Sequence, residues 1–167
     1  MRSAANPSWR RWLALSAAII VLDQLTKAVI LARFRRGERL PLIDGLFDLV
    51  LAFNPGAAFS FLSDASGWQR YFFVTLALVV SAALVVFLRR AGSGVLHLGL
   101  ALILGGALGN VIDRIHIGEV VDFLLVHYRG WSWPAFNVAD SAITIGAGLL
   151  IIDSFRQRRV DGVQASG

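Results

Sequence analysis

Apolar residues gather into four long runs, at positions 12–31, 71–88, 95–112 and 135–152. A helix that crosses a bilayer needs about 20 predominantly apolar residues, so each run predicts a spanning helix. The second run carries no charged residue, and the third carries none either, although it holds His97 and Asn110. The first contains Asp23 and Lys27, and the fourth contains Asp140. Ionisable groups at membrane depth are expensive, which makes these three candidates for function. A fifth apolar stretch, residues 46–62 (LFDLVLAFNPGAAFSFL), is interrupted by Asp48 and by Asn54-Pro55-Gly56. That tripeptide is a turn signal, and its flanks are rich in Phe and Val. The stretch predicts two short strands or an extended segment at the membrane surface, within an outer-surface region of about residues 40–68. Residues 120–126 (VVDFLLV) are too short to span and have the same character.

The ends of the runs are marked by tryptophan. Trp9 and Trp12 open the first run, Trp68 precedes the second, and Trp131 and Trp133 precede the fourth. Tryptophan favours the membrane–water boundary. Arg2, Arg10 and Arg11 before the first run resemble the start of a signal peptide. The run continues past Asp23 and Lys27 to a second basic cluster without a small-residue cleavage site, which predicts an uncleaved first span.

Composition narrows the class. Of 167 residues, 56% are hydrophobic and 16% charged, against roughly 45–50% and about 25% in soluble domains. A disordered chain, a secreted disulfide scaffold and an ordinary soluble protein are excluded. The length holds four spans with short loops, hence a single integral membrane domain over residues 1–167. The absence of cysteine removes disulfides, thiolate catalysis and zinc–thiolate sites. The net charge of +5 reads as topology and contact with lipid headgroups, not as nucleic-acid binding. With both termini inside, eight arginines fall on the inner side and seven on the outer. The short loop 89–94 is purely basic, and short loops weigh most, so both termini are expected in the cytoplasm.

In that orientation most polar residues near the spans collect toward the outer side: Gln24, Lys27, Asn54, Asn110, Asp113, Arg114, Asp122, Asn137 and Asp140. Asp23 sits apart, at mid-span. Asp23 and Lys27 are four residues apart on one helix face, first of all a structural ion pair. Gly105 and Gly109, four apart, have the spacing of a close helix contact, and Asn110, four after Gly106, is followed by Asp113 and Arg114. Asn137 and Asp140 suit a helix start, although capping explains Asp140 less well than Asn137. Asp122 lies within VVDFLLV and needs a partner or a raised pKa. A second carboxylate sharing one proton would satisfy it, which is the requirement of aspartyl proteolysis. Asp140 is the natural second member by position, although spacing does not prove contact. The three histidines show no metal-ligand spacing and read as solvated or interfacial.

The blocks DQLTK at 23–27, NPGAAFS at 54–60, GGALGNVIDR at 105–114, VVDF at 120–123 and FNVADS at 136–141 together resemble lipoprotein signal peptidase (signal peptidase II), a bacterial inner-membrane aspartyl protease family. They occur in the family's order and reach from the first span to the fourth. The resemblance implies an all-α membrane fold of four transmembrane helices with a small β-cradle between the first two, lying on the outer (periplasmic) surface. It implies catalytic aspartates at Asp122 and Asp140. Supporting or substrate-binding positions fall on Asp23, Lys27, Asn54, Gly56, Asn110, Asp113, Arg114, Asn137 and Ala139. The implied substrate is a prolipoprotein, cut just before a cysteine that carries diacylglycerol. No cofactor and no metal are implied, and the partners are that substrate and membrane lipids, with the protein a monomer. Two readings from other classes remain. A small ion-coupled transporter would also carry intramembrane charges, but would tend to show internal symmetry. A non-catalytic membrane scaffold would have no need of Asp122 within an apolar run.

Overall fold

The computed structural model describes residues 9–56, 67–90 and 92–164, with side chains as far as Arg156. Four helices form: α1 (Trp9–Arg33), α2 (Trp68–Leu88), α3 (Gly94–His116) and α4 (Val138–Gln164). Four strands lie among them: β1 (Arg39–Ile43), β2 (Phe47–Asn54), β3 (Val120–Tyr128) and β4 (Trp131–Ser132). All four helices are long and apolar enough to cross a membrane, α4 over Val138–Arg156.

Helix α3 is the centre, packed against each of the other three. Its small residues make this possible. A Cβ on Gly105 would lie 2.8 Å from the Ser16 carbonyl oxygen of α1, and one on Gly106 only 2.3 Å from the Ala139 carbonyl oxygen of α4. Farther along, Gly99 and Gly146 face each other's carbonyls in the same way. Close backbone approach substitutes for the hydrophobic drive that lipid does not supply. Gly106→Ala therefore forces α3 and α4 apart and costs about 1–3 kcal/mol, the usual range for overpacking. Thermal unfolding in detergent measures this; an unchanged midpoint would show that the contact is not tight.

The strands make one antiparallel sheet in the order β1-β2-β3-β4. This extends the expected cradle. Its first two strands lie between α1 and α2, but β3 and β4 come from the segment between α3 and α4. The reason is pairing: β2 leaves an edge that the apolar VVDFLLV segment fills, with Ala52 opposite Asp122 and Asn54 opposite Val120. Of the 40–68 region, residues 57–66 lie outside the described residues, as do positions 57–60 of the NPGAAFS block. One face of the sheet seals onto α1 through Ile30, Leu51, Val121 and Phe123.

A buried carboxylate ties three strands together. Asp48 on β2 pairs with Arg39 on β1 and stands 3.2 Å from His127 Nε2 on β3. Desolvation pushes its carboxyl up, but hydrogen bonds and charge from Arg39 and His127 outweigh that, and its pKa lies below the ordinary carboxylate value.

Two expectations need correction. Helix α4 begins at Val138, not near residue 135, because the Phe136 backbone pairs with Leu124 and holds that stretch extended. His97 is neither solvated nor interfacial. It is buried, with its ring nitrogens 2.8 Å from the Ser93 carbonyl and 3.0 Å from the Arg90 carbonyl, and it stacks on Trp12. The chain folds back there between α2 and α3, which brings these carbonyls over the imidazole.

Candidate active site

The polar residues of the five blocks meet where α1, α3, the start of α4 and the sheet converge. They form two connected layers.

The first layer is organised by Lys27, one helical turn beyond Asp23 on α1. Its ammonium lies 2.7 Å from Asp23 Oδ2 and 2.8 Å from Asp113 Oδ2, and donates to Asn110 Oδ1 at 3.0 Å. Three acceptors match the three protons of an ammonium group. All four residues are buried. Asp23 Oδ1 accepts from the Ala139 backbone N–H at 2.9 Å, one of the donors that a helix start leaves without an intrahelical partner. Asp23 thus caps α4 from α1 and joins the cluster from which its mid-span position seemed to separate it. Asp113 Oδ2 accepts from the Val121 N–H at 3.1 Å and so anchors the start of β3. Ala139 is fully buried, and a Cβ on Gly109 would stand 2.8 Å from Asp23 Oδ2.

Gln24 is the residue that sequence reasoning left without a role. Its amide donates to Asp113 Oδ1 at 2.8 Å and to the Gly109 carbonyl at 3.2 Å. Its position beside Asp23 in DQLTK was the available signal.

The second layer holds the two remaining aspartates. Asp122, buried on β3, accepts from Asn54 Nδ2 at 3.1 Å and from Asn137 Nδ2 at 2.8 Å. Asp140, half-buried in the first turn of α4, accepts from Asn110 Nδ2 at 2.8 Å. Asn137 joins them. Its Oδ1 accepts from the Asp140 N–H at 2.8 Å, and Asp140 Oδ2 accepts from the Asn137 N–H at 3.3 Å. This is the reciprocal exchange of a capping box, so capping accounts for Asp140 as well as for Asn137. The same asparagine side chain also holds Asp122. One residue therefore fixes both carboxylates.

Asn54 is aimed by the turn after β2. The Gly56 N–H donates to Asn54 Oδ1 at 2.9 Å, which leaves the amide nitrogen for Asp122. Gly56 has φ of 104°, and a Cβ there would lie 2.3 Å from the Phe73 ring, so both backbone and space require glycine. Arg114 lies over Phe73 with its guanidinium carbon 5.2 Å from the ring centroid, and its charge is felt by Asp140, Asp122 and Asp113.

Charge counting says what state this site holds. Four carboxylates (Asp23, Asp113, Asp122 and Asp140) face two cations (Lys27 and Arg114). Lys27 is engaged by the first layer. Burial first and the nearby Asp140 charge second push the Asp122 carboxyl up, Asn54, Asn137 and Lys27 pull it back, and the net result is a rise from 3.8 to about 7. Near neutral pH the pair retains one proton and one negative charge.

A cavity of about 420 Å³ adjoins Asp140, lined by Trp133, Phe136, Asp140, Ser141, Thr144 and Ile145.

The sequence model of the family Signal peptidase (SPase) II matches residues 15–156. Proteins named lipoprotein signal peptidase are similar over most of the chain. The one from Ralstonia nicotianae is 58% identical over 149 residues, 89% of this chain and 86% of its own. That from Chromobacterium violaceum is 51% identical over 151 residues, 89% and 93% of the two chains. That from Neisseria meningitidis is 50% identical over 160 residues, 95% and 97%. A solved structure described as a bacterial membrane enzyme superposes with a TM-score of 0.80 at 30% identity, over 95% of this chain and 94% of that one.

Proposed function

From the premise that the chain belongs to the signal peptidase II family and removes lipoprotein signal peptides, we propose that it does so as an aspartic endopeptidase with Asp122 and Asp140 as its catalytic pair. The observation that carries this reading is the Asn137 side chain, which holds Asp122 and the first turn bearing Asp140 at once. Nothing in the comparisons supports the transporter reading.

The chemistry follows from one proton shared by two carboxyl groups. The ionised carboxylate takes a proton from water, whose oxygen attacks the scissile carbonyl carbon. The protonated carboxyl donates to the carbonyl oxygen. The tetrahedral intermediate then breaks its C–N bond: the nitrogen of the following residue leaves with a proton from one carboxyl, while a hydroxyl of the intermediate returns its proton to the other carboxylate, so that the new acid forms and the pair again holds one proton. Arg114 offsets the negative charge of the dyad. Asn54, Asn110 and Asn137 keep the carboxylates aimed, and Gly56 aims Asn54. Asp23, Lys27 and Asp113 hold the helices and strand on which the pair stands, and Ala139 permits the close approach of α4 to α3.

The substrate in this reading is a diacylglyceryl-modified prolipoprotein, cut just before the lipidated cysteine. Its signal helix and lipid arrive within the bilayer, and the polar cluster beside the sheet gives the bond access to water. The protein works as a single membrane domain and as a monomer among membrane lipids. It sits in the bacterial inner membrane with both termini cytoplasmic and the active site toward the periplasm.

The test is cleavage of a diacylglyceryl-modified precursor by purified protein in detergent, across pH and with a chelator present. One cut before the lipidated cysteine is expected, unaffected by the chelator; no cleavage of this substrate would end the reading. The rate should fall about tenfold per pH unit above about pH 7, as the last proton leaves the pair. Stability has the same sign. A carboxyl raised from 3.8 to about 7 holds its proton longer in the folded state, so stability is greatest below about pH 4 and declines as pH rises toward 7. A rate that keeps rising through pH 8 would contradict a shared proton.

A further inference from the structure

We propose that the cavity beside Asp140 holds one acyl chain of the substrate's diacylglyceryl group, with Thr144 and Ile145 lining it on the lipid side. The inference rests on the proteolytic reading above. Its position is the first argument. The cavity has Asp140 in its wall, and the lipid of the proposed substrate is attached to the residue just after the cleaved bond. The acyl chains must therefore leave the dyad within about one residue's length.

Its chemistry is the second argument. Trp133, Phe136 and Ile145 supply the apolar wall, and the Ser141 hydroxyl is turned away to donate to the Asn137 carbonyl at 2.9 Å. The Asp140 oxygens are already engaged by Asn110 and by the Asn137 N–H. An occupant without polar groups fits such a wall, and about 420 Å³ is a small-molecule volume, larger than one side chain needs. Access is the third. Thr144 and Ile145 lie on the exposed face of a helix long and apolar enough to span, and Trp133 is exposed beside them. The cavity therefore opens sideways to lipid.

An acyl chain coming from the bilayer gains little from apolar burial, because lipid tails are as apolar as the wall. The cavity acts through shape, by giving one chain somewhere to lie while the cysteine is held at the dyad. The test is steric. Thr144→Trp and Ile145→Trp are measured in lipid nanodiscs against precursors carrying palmitoyl or butyryl chains, and against a palmitoyl precursor in which a large signal-peptide side chain before the cleaved bond is trimmed to alanine. Filling the cavity should lower kcat/KM for the palmitoyl precursor by roughly tenfold or more, with the butyryl precursor returning to within about twofold of wild type, on the scale of overpacking. Wild-type rates on the palmitoyl precursor in both variants would overturn the proposal. Rescue by trimming that side chain instead of the lipid would overturn it too, since it assigns the cavity to the signal peptide. Ile145 is 58% exposed, so its replacement tests the cavity without a change in the core if Thr144→Trp fails to fold. A wild-type protein that cleaves none of these precursors refutes the proteolytic reading instead, which keeps the two failures distinct.

Discussion

Asp122→Asn and Asp140→Asn each lower cleavage of a lipidated precursor by roughly 10²–10⁴-fold, the contribution expected of a positioned general acid or base. The two losses should not multiply in the double variant, since the groups act as one unit. Asp122→Asn is the cleaner of the two. It removes a carboxyl whose ionisation burial and Asp140 both oppose, so the thermal midpoint at pH 8 should move by no more than about 4 °C, the equivalent of about 1 kcal/mol at this chain length. Asp140→Asn also weakens one arm of the exchange with Asn137 and should lower the midpoint somewhat more. The measurement is kcat/KM beside thermal unfolding in the same detergent. Appreciable activity in either single variant would remove that residue from the catalytic pair.

Lys27→Met should cost stability most. It leaves Asp23 and Asp113 facing each other without the cation that now lies within 2.8 Å of both. Breaking a buried pair by removing one partner typically costs about 3–5 kcal/mol, or roughly 6–20 °C in thermal midpoint. Activity should fall with it, because Asn110 loses a donor that fixes its side chain and is itself the donor to Asp140. Adding Asp113→Asn to Lys27→Met removes one of the two stranded charges and should recover part of the midpoint without recovering the rate. If Lys27→Met unfolds at the wild-type temperature, the ammonium is not the centre of this packing.

Much of this site was legible because part of its geometry is local. The Asp23–Lys27 pair needs only helical periodicity, and the turn at Asn54-Pro55-Gly56 needs only its own three residues. The four spans follow from run length. What stayed hidden depends on which elements meet. Asp113 as the second partner of Lys27 requires α1 against α3, and the role of Gln24 requires the same contact. The pairing of β2 with β3 joins two segments separated by two helices, so the apolar patterns announced strands without saying that they share a sheet. The burial of His97 and the Arg39–Asp48–His127 tie depend on tertiary placement in the same way. The start of α4 was misplaced because residues 135–137 are apolar enough to extend a helix, and only the pairing of Phe136 with Leu124 stops them.

Asn137 has a consequence for how this chain can change length. The separation of the two carboxylates is set by a helix start, not by the span of a loop. One residue added at the Arg129-Gly130 turn, where both residues are exposed and have positive φ, lengthens a hairpin tip and leaves the dyad alone. One residue added between Asn137 and Asp140 turns the second carboxylate by about 100° around the α4 axis. Insertions and deletions should therefore accumulate at the hairpin and vanish from the three-residue interval, a pattern of indels that substitution data would not reveal.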